Sequence, residues 1–242
     1  MNLRRFYSAL LLLVPVISHA GLLEQGFQVD YTLSKNDFTV GVAEYRLYPQ
    51  PAGGLIYEST ARTEGLAALF IHDRIVERSH ILQSQNGLRP QKYEYQQKGG
   101  KEDSGYQLKF DWQHHKLVNT HLKKTLDLPT DTQDMLSFQL ELMKALQAGR
   151  KNFSFHLAEK NEINAYDLAF KKKMTLRTTL GEMEVVLMEH QQPKGHDVFR
   201  FWCAPGLQYL PVRIEHIEAD GDRVVFQIRH FASLPHATVA QD

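Results

Sequence analysis

From Phe27 onward, hydrophobic and polar residues alternate along the chain. Phe27, Val29, Tyr31 and Leu33 take turns with Gln28, Asp30 and Thr32, the period of two expected of a strand with one buried face. Phe38–Tyr48 repeats the pattern, with Val40 and Val42 in one phase and Tyr45 and Leu47 in the other. The one-residue slip at Val42-Ala43-Glu44 predicts a β-bulge. Pro49–Gly54 predicts a turn, and Leu55–Arg62 the next strand. Further strands are expected near Asp73–Leu82, Leu88–Lys98, Gly105–Trp112, Lys116–Leu122, Phe153–Lys160, Asn164–Lys172, Met174–Glu189, His196–Cys203, Pro211–Ala219 and Arg223–His230, the spacing of an antiparallel meander. Gly99–Gly105 and Ala219–Asp222 predict hairpin loops. Gly65–Phe70 reads either as a helical turn or as an apolar loop over a barrel mouth.

One stretch breaks the alternation. Thr130-Asp131-Thr132-Gln133-Asp134 carries helix-opening residues: Thr130 with Gln133, or Asp131 with Asp134, can cap free N–H groups. Gly149 closes the helix. Between them, Met135, Leu136, Phe138, Leu140, Leu142, Met143, Ala145 and Leu146 cover more than half the helix circumference, leaving Ser137, Glu141, Lys144 and Ala148 for the rest. A helix this apolar needs cover on several sides. The expected fold is mainly β: a large curved antiparallel sheet, or open β-barrel, wrapped around one amphipathic helix at about residues 131–148.

Composition narrows the setting. Met1–Ala20 reads as a secretory signal peptide: Arg4 and Arg5 precede the apolar run Ala9–Ile17, and Ser18-His19-Ala20 supplies small residues for cleavage. The run is too short to anchor in a bilayer. Residues 21–242 are then expected as one β-rich periplasmic domain. The 28 basic and 28 acidic side chains balance, a field unsuited to nucleic acid. One cysteine, Cys203, excludes an internal disulfide and reads as a buried apolar residue. With no cysteine at position 21, a lipid anchor is not expected. The polar face of Lys92, Glu94 and Gln96 suits a lumen or solvent alike, and the amphipathic helix favours a soluble core over an outer-membrane barrel.

Candidate chemistry is sparse. No phosphate loop, nucleophile elbow or His-Glu-x-x-His string occurs, and no cofactor is expected. His114-His115 with His121, and His190 with His196, are the densest histidine groups, but adjacent strand residues point to opposite faces and two ligands make a weak metal site. Glu182 and Glu184 share a strand face, a spacing open to glycosidase-type carboxylate chemistry or to a solvated surface. Lys171-Lys172-Lys173 reads as a charged strand end, with contact to acidic lipid head groups as the alternative. The most suggestive set is Glu77-Arg78-Ser79 with Asp134: a buried Arg–Asp pair between strand and helix, either tying the two together or lining a cavity. Trp112, Phe138 and Trp202 are the rings placed to line it.

Several ordered strings carry a resemblance: Val76-Glu77-Arg78-Ser79; Gly87-Leu88-Arg89-Pro90 with Tyr93-Glu94-Tyr95; Phe110-Asp111-Trp112; Asp131–Ser137; and Trp202-Cys203-Ala204-Pro205 with Leu210–Ile214. From about Phe27 to about Phe231 the chain resembles the exported bacterial family catalogued as Domain of Unknown Function 3108. Met135 stands where a charged residue would be expected. The resemblance implies a periplasmic, mostly β, single-domain protein of the Gram-negative envelope. It brings no activity or catalytic residues.

The expected role is therefore a non-enzymatic envelope protein that binds a lipophilic small molecule in a groove between sheet and helix, with Trp112, Phe138, Trp202, Glu77, Arg78 and Asp134 as ligand-binding candidates. The alternatives are a scaffold holding an envelope protein partner and, with least support, a glycan hydrolase. No nucleic-acid partner and no integral membrane segment are expected.

Overall fold

In the computed structural model, residues 21–65, 68, 73–84, 87–99, 103–191 and 197–234 are described. The signal-peptide segment, most of Gly65–Phe70, the tip of the Gly99–Gly105 loop and His196 lie outside them. A short helix α1 (Leu22–Gln25) leads into β1 (Phe27–Lys35), β2 (Phe38–Gln50), β3 (Gly54–Thr63), β4 (Arg74–Ser84), β5 (Gly87–Lys98), β6 (Ser104–Asp111), β7 (Lys116–Asn119) and β8 (Lys124–Asp127). The short β9 (Thr132–Gln133) precedes helix α2 (Ser137–Gln147). Then come β10 (Asn152–Ala158), β11 (Ile163–Thr178), β12 (Gly181–Gln191), β13 (Val198–Ala204), β14 (Leu210–Ile217) and β15 (Arg223–Ser233).

All fifteen strands join one sheet, in the order β8 to β1 followed by β15 to β9. Each strand thus pairs with its sequence neighbour, except that β1 pairs with β15 and the sheet stays open between β8 and β9. Those two edges are consecutive in the chain. Laid flat, fifteen strands would hold them roughly 65 Å apart. Residues 128–131 can bridge at most about 18 Å. The sheet must therefore curl until its edges approach, as the expected open barrel required. Side chains cross near the opening: Asn119 Nδ2 donates to the Lys160 carbonyl at 2.7 Å, and Lys124 Nζ to the Asn161 carbonyl at 2.6 Å.

Bulges bend the strands. The one in β2 falls at Val40, left unpaired between Leu33↔Gly41 and Ser34↔Thr39, two residues before the expected slip. Gly41 beside it has no room for a side chain: a Cβ would lie 2.2 Å from the Arg62 carbonyl. A second bulge leaves Gln91 unpaired between His80↔Lys92 and Ile81↔Pro90. Pro90 therefore sits inside β5 rather than at its start, beyond the reach of β6, whose pairing begins at Lys92. A third, at Lys171, places the lysine run inside β11, where Lys171 bridges Glu189 on β12. The run is not a strand end. The turn between β11 and β12 lies at Thr179–Leu180, not near Lys173. β8 and β9 were not expected at all.

Helix α2 begins later than expected, at Ser137, because Thr132 and Gln133 are extended and pair in parallel with His156 and Leu157. Eight of its eleven residues are buried. Leu136 at the N-cap, Leu140 and Met143 form one stripe, in a cluster with Tyr31, Tyr57 and Leu88. Phe138, Leu142 and Leu146 form another, packed on Phe155, Leu168 and Phe201. The helix is apolar on two sides because it meets two sets of strand side chains. Ser137, expected on its polar arc, is fully buried. Gly149 ends it at φ +75, its N–H bonded to the Leu146 carbonyl.

Cys203 lies in the second cluster with no exposed surface, and burial pushes its thiol well above the usual range. The native protein should leave Ellman's reagent unreacted until denaturant is added. Stoichiometric reaction within minutes in native buffer would show that this cluster opens readily.

Candidate functional site

Cross-strand partners share a sheet face, so register decides which rings meet. His190 on β12 pairs with Phe199 on β13, which pairs with His216 on β14; Met188, Phe201 and Ile214 form the next row. Tyr166 on β11 stacks on the His190 ring at 3.7 Å, and Phe199 stacks on His216 at 4.0 Å. Opposite this wall stands α2, whose Phe138 ring lies 5.6–5.9 Å from those of Phe155, Tyr166 and Phe201. Between wall and helix is a cavity of about 760 Å³, also reached by Tyr45, Met135, Val224 and Phe226. Its volume falls within the range of small-molecule sites.

The polar lining is limited to a few groups. Gln139 comes from the helix, Glu159, Glu162 and Asn164 from the β10–β11 turn and the start of β11, and His190 and His216 from the wall. His190 is 2% exposed, and its Nδ1 lies 2.8 Å from the Asp167 carbonyl. A carbonyl only accepts, so Nδ1 carries a proton. His216 Nε2 is 3.5 Å from the Asp197 carboxylate. Burial, and then the neighbouring Glu162 carboxylate, raise the Glu159 carboxyl above its ordinary range.

The helix is held over the cavity by a polar anchor. Asp134 is fully buried; its Oδ1 accepts from the backbone N–H groups of Leu136 (2.9 Å) and Ser137 (2.7 Å), and its Oδ2 from the Ser79 hydroxyl of β4 (2.5 Å). In return the Ser137 hydroxyl accepts from the Asp134 N–H at 2.9 Å. This reciprocal cap satisfies helix-end donors that water cannot reach. Burial nevertheless lifts the Asp134 carboxyl to about 6. Gln133 donates to the Leu88 carbonyl at 2.9 Å, and Glu141 accepts from the Leu88 N–H at 3.3 Å. The part of β5 that β6 does not reach is thereby completed by β9 and α2.

The sequence profile of the family described as "Protein of unknown function (DUF3108)" matches residues 27–228. The chain belongs to this family. No curated protein matches it. Among solved structures, it is similar to a β-barrel-like protein of the family of unknown function DUF1849 from Brucella abortus, at 12% identity and a TM-score of 0.56, over 86% of this chain and 97% of that one. A second structure, described as "a putative lipoprotein" from Parabacteroides distasonis, aligns at 10% identity and a TM-score of 0.33, over 88% and 97% of the two chains. The Brucella likeness is one of fold.

In this DUF3108 member the six residues singled out by sequence do not converge. Phe138 lines the cavity. Asp134 is the helix anchor, but its partner is Ser79, not Arg78. Arg78 is on the outer, solvent-facing side of β4, where its Nε donates to Glu58 at 2.5 Å. The expected Arg–Asp tie is therefore absent, because the pleat turns neighbours Arg78 and Ser79 to opposite faces. Glu77 accepts from the hydroxyls of Ser59 (2.8 Å) and Tyr93, on a face shared with its cross-strand partners Ser59 and Tyr95. Trp112 is spent on the free edge of β5: its indole N–H donates to the Pro90 carbonyl at 2.7 Å, and the Arg89 guanidinium lies over its ring. Trp202, one residue out of phase with Phe201, faces away from the cavity against Arg213. Glu182 and Glu184 are exposed, far in sequence and environment from buried Asp134. Among the described residues no three metal-ligating side chains converge.

Tyr166, Phe199, Phe201 and His216 were the residues that sequence reading missed, and His190 was weighed only as a weak metal pair with His196. Their signal is the alternation Phe199, Phe201, Cys203 in β13, opposite His190 across the hairpin.

Proposed function

We propose that this DUF3108 protein is a non-enzymatic, exported envelope protein that binds a lipophilic molecule between α2 and the concave face of the sheet. The observation that carries the reading is the cavity of about 760 Å³, walled by Tyr45, Phe138, Tyr166, Phe199, Phe201 and Phe226. Rings around a space of that size keep apolar surface against water unless an apolar molecule displaces it. Met1–Ala20 supports export, and residues 21–242 would then be the working domain; amino-terminal sequencing of the secreted protein should begin at Gly21. No described helix is long and apolar enough to cross a membrane. The scaffold alternative has less support, since holding a partner at the surface needs no internal cavity.

Uptake of N-phenyl-1-naphthylamine tests the reading. The probe should brighten on binding with a Kd in the micromolar range. Ile214→Trp, which adds an indole to the cavity wall on β14, should weaken uptake about tenfold, the loss of one well-filled subsite, while leaving the melting temperature within a few degrees. Unchanged uptake by the folded variant would place the probe elsewhere.

A further inference from the structure

The walls of the cavity say which head group its occupant carries. The inference rests on the lipophile reading above and adds the chemical class. Among the described residues that line the cavity, no lysine or arginine occurs, while two carboxylates do. Among the described residues, neither Glu159 nor Glu162 has an ion-pair partner. Glu159 is partly buried and Glu162 is exposed at the turn that follows β10. Deeper in, His190 is 98% buried and its Nδ1–H is committed to the Asp167 carbonyl, while the Nε2 of His216, also on the wall, is buried without a hydrogen-bond partner among the described residues. A buried ring nitrogen without a partner is an unmet demand for one. Gln139 and Asn164 can serve either role.

An anionic head group placed here would face two carboxylates with no lysine or arginine to compensate it. A donor meets the opposite situation. We propose that the cavity takes an amphiphile whose apolar body lies along the Tyr166, Phe199 and Phe201 rings and whose head group donates hydrogen bonds, an amine above all, and that it rejects fatty acids and other anionic lipids. An ammonium near Glu159 and Glu162 gains a charge-assisted bond, and its N–H groups complete the carboxylates that the protein leaves unpaired.

Competition for bound N-phenyl-1-naphthylamine tests this with three twelve-carbon compounds kept below their micelle thresholds: dodecylamine, sodium dodecanoate and uncharged monododecanoylglycerol. At pH 7.5 dodecylamine should displace the probe at a concentration at least about tenfold below that of dodecanoate. The Glu159→Gln/Glu162→Gln variant should shrink that ratio toward one and leave the midpoint for monododecanoylglycerol in place. Both side chains are at least partly exposed, so the fold is expected to survive, and a thermal melt checks it. Dodecanoate binding as well as dodecylamine in the unaltered protein would overturn the head-group inference while leaving the lipophile reading intact. An undiminished ratio in the folded variant would overturn the role of the two carboxylates. Failure of all three compounds and of the probe to bind would remove the lipophile reading itself.

Discussion

Replacing Asp134 by alanine should lower the stability of the folded protein by about 3 kcal/mol or more, and replacing it by asparagine should raise stability at pH 8. Alanine strips the acceptors from the Leu136 and Ser137 N–H groups and from the Ser79 hydroxyl in a site without solvent access, and each buried donor left unsatisfied costs about 1–3 kcal/mol. Asparagine keeps the Oδ1 acceptor of the cap, and its amide can donate to Ser79 in place of the carboxylate that accepted from it. The pH dependence has a definite sign. Folding raises the Asp134 carboxyl to about 6 from its ordinary 3.8. A raised acid contributes its full stability below the unfolded value and loses it as pH climbs through the folded one. Two units correspond to about 3 kcal/mol, given up between pH 4 and 6.5. Other carboxylates, such as Glu94 and Glu189, are lowered on folding and pull the whole curve the opposite way. The difference in unfolding free energy between the Asp134→Asn variant and the parent isolates the effect. That difference should grow in favour of the variant from pH 4 to pH 6.5 and then level off. A flat difference would mean that Asp134 is already ionised at no cost.

Phe138→Ala should cost about 3–5 kcal/mol, the usual price of deleting a buried phenylalanine. The ring is 4% exposed and lies near Phe155, Tyr166 and Phe201. Because it borders an existing cavity, its removal enlarges that space instead of sealing a new hole. The variant should therefore show two changes together: a lower midpoint in urea unfolding, and tighter binding of a competitor bulkier than the twelve-carbon compounds, measured below the unfolding transition. Loss of stability with no change in the preferred ligand size would separate Phe138 from the binding wall and leave it a packing residue only.

The strand pattern was largely legible because alternation is a local signal, and one buried face writes it into most strands between Phe27 and Phe231. Sheet curvature was legible too, since so many strands with an apolar helix leave few other arrangements. The losses have physical causes. β8 and β9 are short and polar, held by their neighbours more than by their own residues. The start of α2 moved because Asp134, not Thr130 or Asp131, caps it, and its reach to Ser79 on β4 spans 55 residues of sequence. The cavity wall was hardest to read. β12 and β13 are apolar on both faces, with Val185 and Leu187 in one cluster and Val186 and Met188 in the other. Size pointed to Trp202, yet the pleat turned Phe201 inward. His190 was read only with His196, and His216 carried no signal of its own, until pairing with Phe199 placed both in one row.

The cavity's occupancy in the cell is the central claim, and native mass spectrometry of protein purified gently from the periplasm tests it most directly. A complex heavier than the chain by a few hundred daltons is predicted, with the extra mass recovered in an organic extract and reduced in Ile214→Trp. A spectrum holding only the bare chain, from protein that also fails to take up N-phenyl-1-naphthylamine, would contradict the account.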